Sequence, residues 1–114
     1  MTDKVLVLNK TSAAADTVEI FYTSPTNGNG TRIKAFTASN DTESSKSYKA
    51  YIYDDDDPAA DPVPAVVPQT IVVRDRADYG ASIVNQTIPA GGTLRIESSD
   101  ADSLVFYVTG LEQS

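Results

Sequence analysis

The densest group of side chains able to do chemistry is a run of four carboxylates, Asp54, Asp55, Asp56 and Asp57. Calcium prefers such oxygen ligands, but calcium loops alternate them along the chain, contain a glycine at the sharp turn and end in a glutamate at position twelve. No glycine lies between residues 54 and 68, and position twelve is Ala65. We therefore predict a solvated acidic loop that protects a sheet edge, with weak cation binding as the alternative.

The sequence contains no recognisable arrangement of catalytic residues. The chain contains no cysteine and no histidine, which excludes disulfides, thiolate chemistry, imidazole catalysis and zinc sites built from those residues. A serine nucleophile would need lysine as its base, and neither Lys46 with its neighbouring serines nor Ser82 shows a supporting pattern. The glycines Gly28 and Gly30 lack the lysine and helix of a phosphate loop, so they indicate a turn. We predict a non-enzymatic protein with no cofactor and no metal.

Alternating charges close one predicted strand, in the segment 74–78. Such a cluster can dock onto a partner of complementary charge and fix its register. The alternative is surface ion pairing within the chain, worth under about 1 kcal/mol. Together with a nearby tyrosine, we predict contact residues at Arg74, Asp75, Arg76 and Tyr79.

Four tyrosines, Tyr22, Tyr48, Tyr51 and Tyr53, lie on or near predicted strands. Half-buried filling of a sheet is the favoured interpretation. A protein interface and the stacking of sugar rings are the alternatives, because tyrosine brings large contact area at low entropic cost.

The elements that position these residues are strands. Apolar side chains recur with period 2 rather than 3.6, and the segments are rich in Val, Ile, Tyr and Phe. About eight strands are predicted, at residues 4–8, 18–23, 32–37, 48–53, 71–74, 83–86, 94–97 and 104–109. Turn residues separate them, including the Asn-Gly pairs at 27–30 and the Pro-Ala-Gly-Gly turn at 89–92.

Eight short antiparallel strands predict an all-β fold, an antiparallel β-sandwich of jelly-roll type, with a closed barrel as the alternative. The length of 114 residues fits a single domain over residues 1–114. Residues 1–9 are predicted to form an arm or an edge strand. Residues 54–68, rich in aspartate and proline, are predicted to form an exposed excursion between two strands.

The formal net charge of −7 limits the kinds of molecule that the protein is expected to bind. A nucleic-acid binder needs a basic face, so no nucleic-acid partner is expected. No apolar stretch approaches a membrane span and the amino-terminal residues do not resemble a signal peptide, so no membrane partner is expected. The absence of cysteine is compatible with a reducing cytosol.

The order of several motifs resembles the small β-sandwich structural proteins of tailed bacteriophage virions. The matching segments are "YTSPTNG" from Tyr22, "TASN" ending at Asn40, "IPAGGT" around Pro89, and "VTGLE" ending at Glu112. The likeness extends over residues 18–112, and its motifs are mostly turn signals. The acidic segment 54–68 and the stretch 72–86 depart from the pattern.

This resemblance implies a virion structural protein assembled in the host cytoplasm, most simply a capsid decoration or cement protein that binds and stabilises the assembled shell. Its partners would be the major capsid protein or neighbouring virion proteins, and copies of itself as a homo-oligomer. A head–tail junction or tail ring, or a carbohydrate-binding module of a host-recognition fibre, are the alternatives. Beyond the charged cluster, contacts are expected at the first strand, with Lys4 and Val5, and at the four aspartates.

Overall fold

Two antiparallel sheets make up the part of the chain that the computed structural model describes, namely residues 4–40, 42, 44–57, 67–74, 77–78, 83–101 and 104–113. No helix occurs within these ranges. The strands are β1 (Lys4–Thr11), β2 (Val18–Thr23), β3 (Thr31–Asn40), β4 (Ser45–Tyr53), β5 (Val67–Arg74), β6 (Ala77–Asp78), β7 (Thr87–Ile88), β8 (Thr93–Ser98) and β9 (Leu104–Glu112).

The first sheet has the order β1-β9-β3-β6, with β7 also paired to β3, and the second sheet has the order β2-β8-β4-β5. The chain crosses repeatedly from one sheet to the other, so that strands distant in sequence become neighbours. This is the arrangement of an eight-strand jelly roll with β7 as a two-residue addition. The predicted all-β, antiparallel sandwich is confirmed, and the chain does not adopt the barrel alternative.

The core lies between the two sheets and is centred on Phe106 of β9. Its ring contacts three other aromatic rings, those of Phe21, Phe36 and Tyr48, at centroid distances of 5.4, 6.2 and 5.4 Å. Around them pack the buried aliphatic side chains Ile33, Ala38, Ala50, Ile83, Ile88, Leu94, Ile96, Leu104 and Val108. Burial of this apolar surface is the main force holding the sheets together.

A β-bulge corrects the alternation predicted for β3. Strict period 2 would place Phe36 on the face of Arg32 and Lys34, yet Phe36 is buried with Ile33 in the core. The register with β9 shifts between Ile33 and Ala35, and the extra residue exchanges the two faces of the strand.

The strand predicted at residues 83–86 is wrong. Residues 83–85 form a turn, and Asn85 has a positive φ of 71° that no strand can hold. The turn still satisfies its backbone against β3: the amide of Asn85 donates to the carbonyl of Ile33, and the amide of Ile33 donates to the carbonyl of Gln86. Buried Ile83 holds the turn against the core.

The predictions for residues 1–9, an arm or an edge strand, and for residues 54–68, an exposed excursion, differ in outcome. The described part of the first, from Lys4 onward, forms β1 at the edge of the first sheet, paired within the chain to β9. The excursion predicted for residues 54–68 ends earlier than expected, because Val67 and Pro68 already belong to β5. Since β5 is an edge strand, proline is tolerated there. Residues 58–66 lie outside the described ranges.

Candidate interaction surface

The outer face of the first sheet carries most of the large apolar side chains that the described chain exposes. Val5 and Val7 of β1 are 74% and 56% exposed, and Tyr107 of β9 is 46% exposed. Their neighbours in register are also uncharged: Val5 lies opposite Leu111, and Val7 lies opposite Thr109. These side chains alternate with buried ones along each strand, so they point away from the core.

We call this surface the open face. It consists of three strands in the order β1-β9-β3, and its residues are Val5, Val7, Asn9 and Thr11; Val105, Tyr107, Thr109 and Leu111; Arg32, Lys34, Ala35, Thr37 and Ser39. Arg32 and Lys34 are the charged residues among them, and both are cations. On a protein of net charge −7, a face with exposed apolar side chains and no carboxylate is a surface that a partner can cover without burying an anion.

The outer face of the second sheet is different, because an arginine on it is covered. The side chain of Arg95 in β8 is only 3% exposed. Its guanidinium lies 3.8 Å from the ring centroid of Tyr53, and its Nε donates to Thr93 Oγ1 at 2.9 Å. Its terminal nitrogen reaches the backbone oxygen of Asp55 at 3.3 Å and the carboxylate at 3.4 Å. Asp55, the second aspartate of the acidic run, is thereby held beside the second sheet.

Charge is divided between strands and loops. Within the described residues all eight Lys and Arg lie in strands, whereas six of the ten Asp and Glu lie in the connections between them. The strands therefore carry a positive balance of charge, and most of the described carboxylates lie in the connections.

A polar cluster joins the two sheets near the carboxyl end of β9. The hydroxyl of Tyr22 in β2 donates to the carboxylate of Glu112 and lies 3.0 Å from Thr31 Oγ1, which in turn is 2.8 Å from Ser24 Oγ. Partial burial, reinforced by the hydrogen bond to Glu112, raises the pKa of Tyr22 to about 12. The phenol thus remains a donor, and the cluster fixes one end of the open face.

A second carboxylate organises the connection between β1 and β2. Glu19 accepts hydrogen bonds from the hydroxyl of Ser12 and from the backbone amides of Ala13 and Ala14. Partial burial acts to raise the pKa of Glu19, but these hydrogen bonds together outweigh it and hold the pKa below its ordinary value. The loop that follows β1 is closed by this carboxylate.

The structure separates the residues predicted as contact sites. Lys4 and Val5 are exposed at the start of β1, and the four aspartates are exposed after β4, next to the second sheet. Arg74 lies at the end of β5, paired in register with Ser45. The remaining predicted contacts, Asp75, Arg76 and Tyr79, lie outside the described residues.

Sequence reasoning missed Val7, Tyr107 and Arg95. The run Val5-Leu6-Val7-Leu8 is apolar on both faces of the strand, which was a signal that its outer face is apolar too. Of the four tyrosines singled out, Tyr48 and Tyr53 are buried, while Tyr22 and Tyr51 are partly buried. These positions agree with the interpretation that the four tyrosines fill space within the sheets.

Other features of the described residues point to no ligand. No three acidic side chains there come together as metal ligands, and no helix there is long and apolar enough to cross a membrane. A polar depression of about 150 Å³ lies between β4 and β8, lined by Asp16, Ser47, Tyr48, Lys49, Glu97, Ser98 and Ser99. The serines engage the backbone around it: the amide of Ser47 donates to Ser99 Oγ, and Ser98 Oγ donates to the carbonyl of Asp100.

Comparison with known proteins bears on the fold. No protein-family model matches the sequence, and no curated protein matches it. A solved structure described as "Bacillus endospore appendages form a novel family of disulfide-linked pili" superposes with a TM-score of 0.51. The match covers 98% of this chain and 87% of that chain, at 17% sequence identity. At this identity the likeness shows a shared fold, and this chain is similar to that pilus chain in its β-sandwich architecture.

Proposed function

We propose that this chain is a non-enzymatic structural subunit that is held in a larger protein assembly through its open face. The observation that carries the proposal is the exposure of Val5, Val7 and Tyr107 on one sheet surface that carries no carboxylate. Fully burying a valine contributes roughly 1.5 kcal/mol, so a partner that covers this face gains several kcal/mol from these side chains together.

The assembly that we favour is a tailed-phage virion, with the chain as a capsid decoration protein bound to the major capsid protein. The motif order that ends in "VTGLE" supports this setting, and so does the acidity, which keeps the subunit soluble before assembly and away from packaged DNA. Binding only the assembled shell would stabilise it by mass action.

A filament subunit is the second candidate, and the fold shared with the pilus chain favours it. That protein is described as disulfide-linked, whereas this sequence contains no cysteine. A filament of this chain would therefore be held by non-covalent contacts, for which the open face is the available apolar surface.

Quantitative mass spectrometry of purified particles tests the proposal and separates its two settings. Phage particles and surface filaments are purified from the culture that produces the protein, and its copies are counted against the major subunit of each. A copy number close to that of the major capsid protein indicates decoration, and a few copies per particle indicate a junction or tail ring. Enrichment in filaments indicates the second candidate. Recovery only as free protein contradicts the proposal.

A further inference from the structure

The first strand presents a long and regular sheet edge. β1 ends the order of the first sheet, and all eight of its residues, from Lys4 to Thr11, pair with β9 without any register shift. It contains no proline. The side of β1 away from β9 therefore carries a straight row of backbone donors and acceptors, and such a row is a template for another strand.

The other edges of the described sandwich each carry a feature that hinders strand addition. β2 has a bulge between Ile20 and Tyr22, and β5 contains Pro68 beside a register shift in β4. The far side of β3 is lined only by β6 and β7, which are two residues long. Bulges, prolines, very short strands and charged side chains are devices by which proteins prevent edge pairing, and of these β1 has only the two lysines near its ends, Lys4 and Lys10.

Each lysine of β1 has a glutamate of the same chain near it. Lys4 lies opposite Glu112 in the β1–β9 register. The ammonium of Lys10 is 3.4 Å from the carbonyl oxygen of Phe21 and lowers the pKa of Glu19 by its charge. If two β1 strands pair antiparallel about Val7, Lys10 of one copy meets Lys4 of the other. Each end then holds two lysines and the two glutamates that accompany them, so the contact is locally neutral.

We propose that two copies of the chain associate through antiparallel pairing of their β1 strands about a two-fold axis at Val7. The first sheets then form one continuous sheet in the order β3-β9-β1-β1-β9-β3, and the two open faces merge into one surface. Because β1 is the one long edge of the described sandwich without a bulge or a proline, it pairs with its own counterpart, and the contact closes at the dimer. This dimer goes beyond the proposed function, because it forms in the isolated protein without any assembly. The dimer and the role in an assembly are therefore independent proposals, and either one can fail without the other.

The size of the contact predicts a weak dimer. In this register the seven residues from Lys4 to Lys10 pair, and they span about 24 Å. A contact one strand wide and of this length falls in the weak class of interfaces, below roughly 1,200 Å² of total buried area. Two copies of charge −7 also repel each other. Raising NaCl from about 0.01 M to about 1 M shortens the Debye length from about 30 Å to about 3 Å, so the dimer should strengthen with salt.

Single-cysteine cross-linking tests the arrangement directly, because the sequence has no other cysteine. In the proposed register Val7 faces Val7 of the other copy, where directly opposite Cβ atoms lie about 5 Å apart. Val7→Cys should therefore form a disulfide-linked dimer under mild oxidation. Val5→Cys is a control on the same strand, since its counterpart lies about 14 Å away along the strand. Val18→Cys is a control at an exposed valine of the second sheet.

Sedimentation velocity over a concentration series, at low and at high salt, completes the test. We expect sedimentation to show a reversible dimer whose affinity rises with salt and falls about tenfold in Val7→Lys. In the cross-linking experiment, we expect Val7→Cys to form dimers at least about tenfold faster than either control. A monomer under all conditions overturns the proposal, as does cross-linking of Val7→Cys no faster than that of Val5→Cys or Val18→Cys. Circular dichroism of each variant shows that it is folded, and particle composition is not a readout of this test.

Discussion

Replacing Arg95 by alanine should destabilise the fold severely, although no core residue changes. The guanidinium is buried against the ring of Tyr53 and donates to Thr93 and to the backbone oxygen of Asp55. Hydrogen bonds from a charged donor are worth about 1.5–3 kcal/mol, and a desolvated cation–π contact about 2 kcal/mol. The cost of burying the guanidinium offsets part of this gain. We expect a loss of about 3 kcal/mol in the free energy of unfolding, and a melting temperature lower by about 12 °C.

Two further variants separate the contributions. Arg95→Lys retains the charge but loses the planar group and the bond from Nε to Thr93, so it should cost about 2 kcal/mol. Asp55→Asn leaves the backbone acceptor in place, and the Asp55 side chain is 51% exposed, so it should cost under about 1 kcal/mol. Urea denaturation followed by tyrosine fluorescence and circular dichroism measures each value. Equal losses in Asp55→Asn and Arg95→Ala would refute the reasoning, and so would a loss below about 1 kcal/mol in Arg95→Ala.

Three other predictions address the loops and the polar cluster. Because the folded-state pKa of Glu19 is lowered, its contribution to stability is present above the ordinary value of 4.5 and is lost as the pH falls through the folded-state pKa. The stability difference between the wild type and Glu19→Gln should therefore vanish in acid denaturation series. The pKa of Tyr22 is raised from 10.0 to about 12, so the wild type should lose stability between these pH values relative to Tyr22→Phe, as measured by urea titrations at alkaline pH. Gly30→Ala should cost at least about 2 kcal/mol more than Gly91→Ala in thermal unfolding. Both glycines have positive φ, but a Cβ at Gly30 would lie 2.5 Å from the carbonyl oxygen of Ile88, and one at Gly91 would lie 3.4 Å from its nearest neighbour. Equal losses in the two glycine variants would contradict this explanation.

The fold class was predictable because apolar and polar residues alternate along most of the strands. In β9, Leu104, Phe106 and Val108 are all buried, as strict alternation requires. Alternation fails where a strand contains a β-bulge. The sequence around Lys34 contains no residue typical of a bulge, so the inward position of Phe36 could not be predicted. The turn at Ile83 was mistaken for a strand because a β-branched residue that fills the core looks the same whether its backbone is extended or turned.

The interaction surface was predictable only in part. Exposure of Val5 followed from its place in an amino-terminal strand, but the partner strand that places Tyr107 beside β1 is almost one hundred residues away in sequence. Period 2 indicates which residues share a face and does not indicate which face meets solvent. Arg95 shows the same limit, because alternation assigns it correctly to the outer side of β8, while its burial depends on Tyr53 and Asp55 folding over it.

Incorporation of a single variant of the open face tests the central claim most directly. Tyr107→Ser removes an exposed aromatic side chain from the central strand of the open face, away from the β1 edge, and Val18→Ser is a matched change on the second sheet. Each is co-expressed with the wild type, and the ratio of variant to wild type is measured by mass spectrometry in assembled particles and in the free pool. We expect Tyr107→Ser to be depleted about tenfold from particles, for a loss of about 1.4 kcal/mol, and Val18→Ser to enter normally. Equal incorporation of both variants, each folded by circular dichroism, would contradict assembly through the open face.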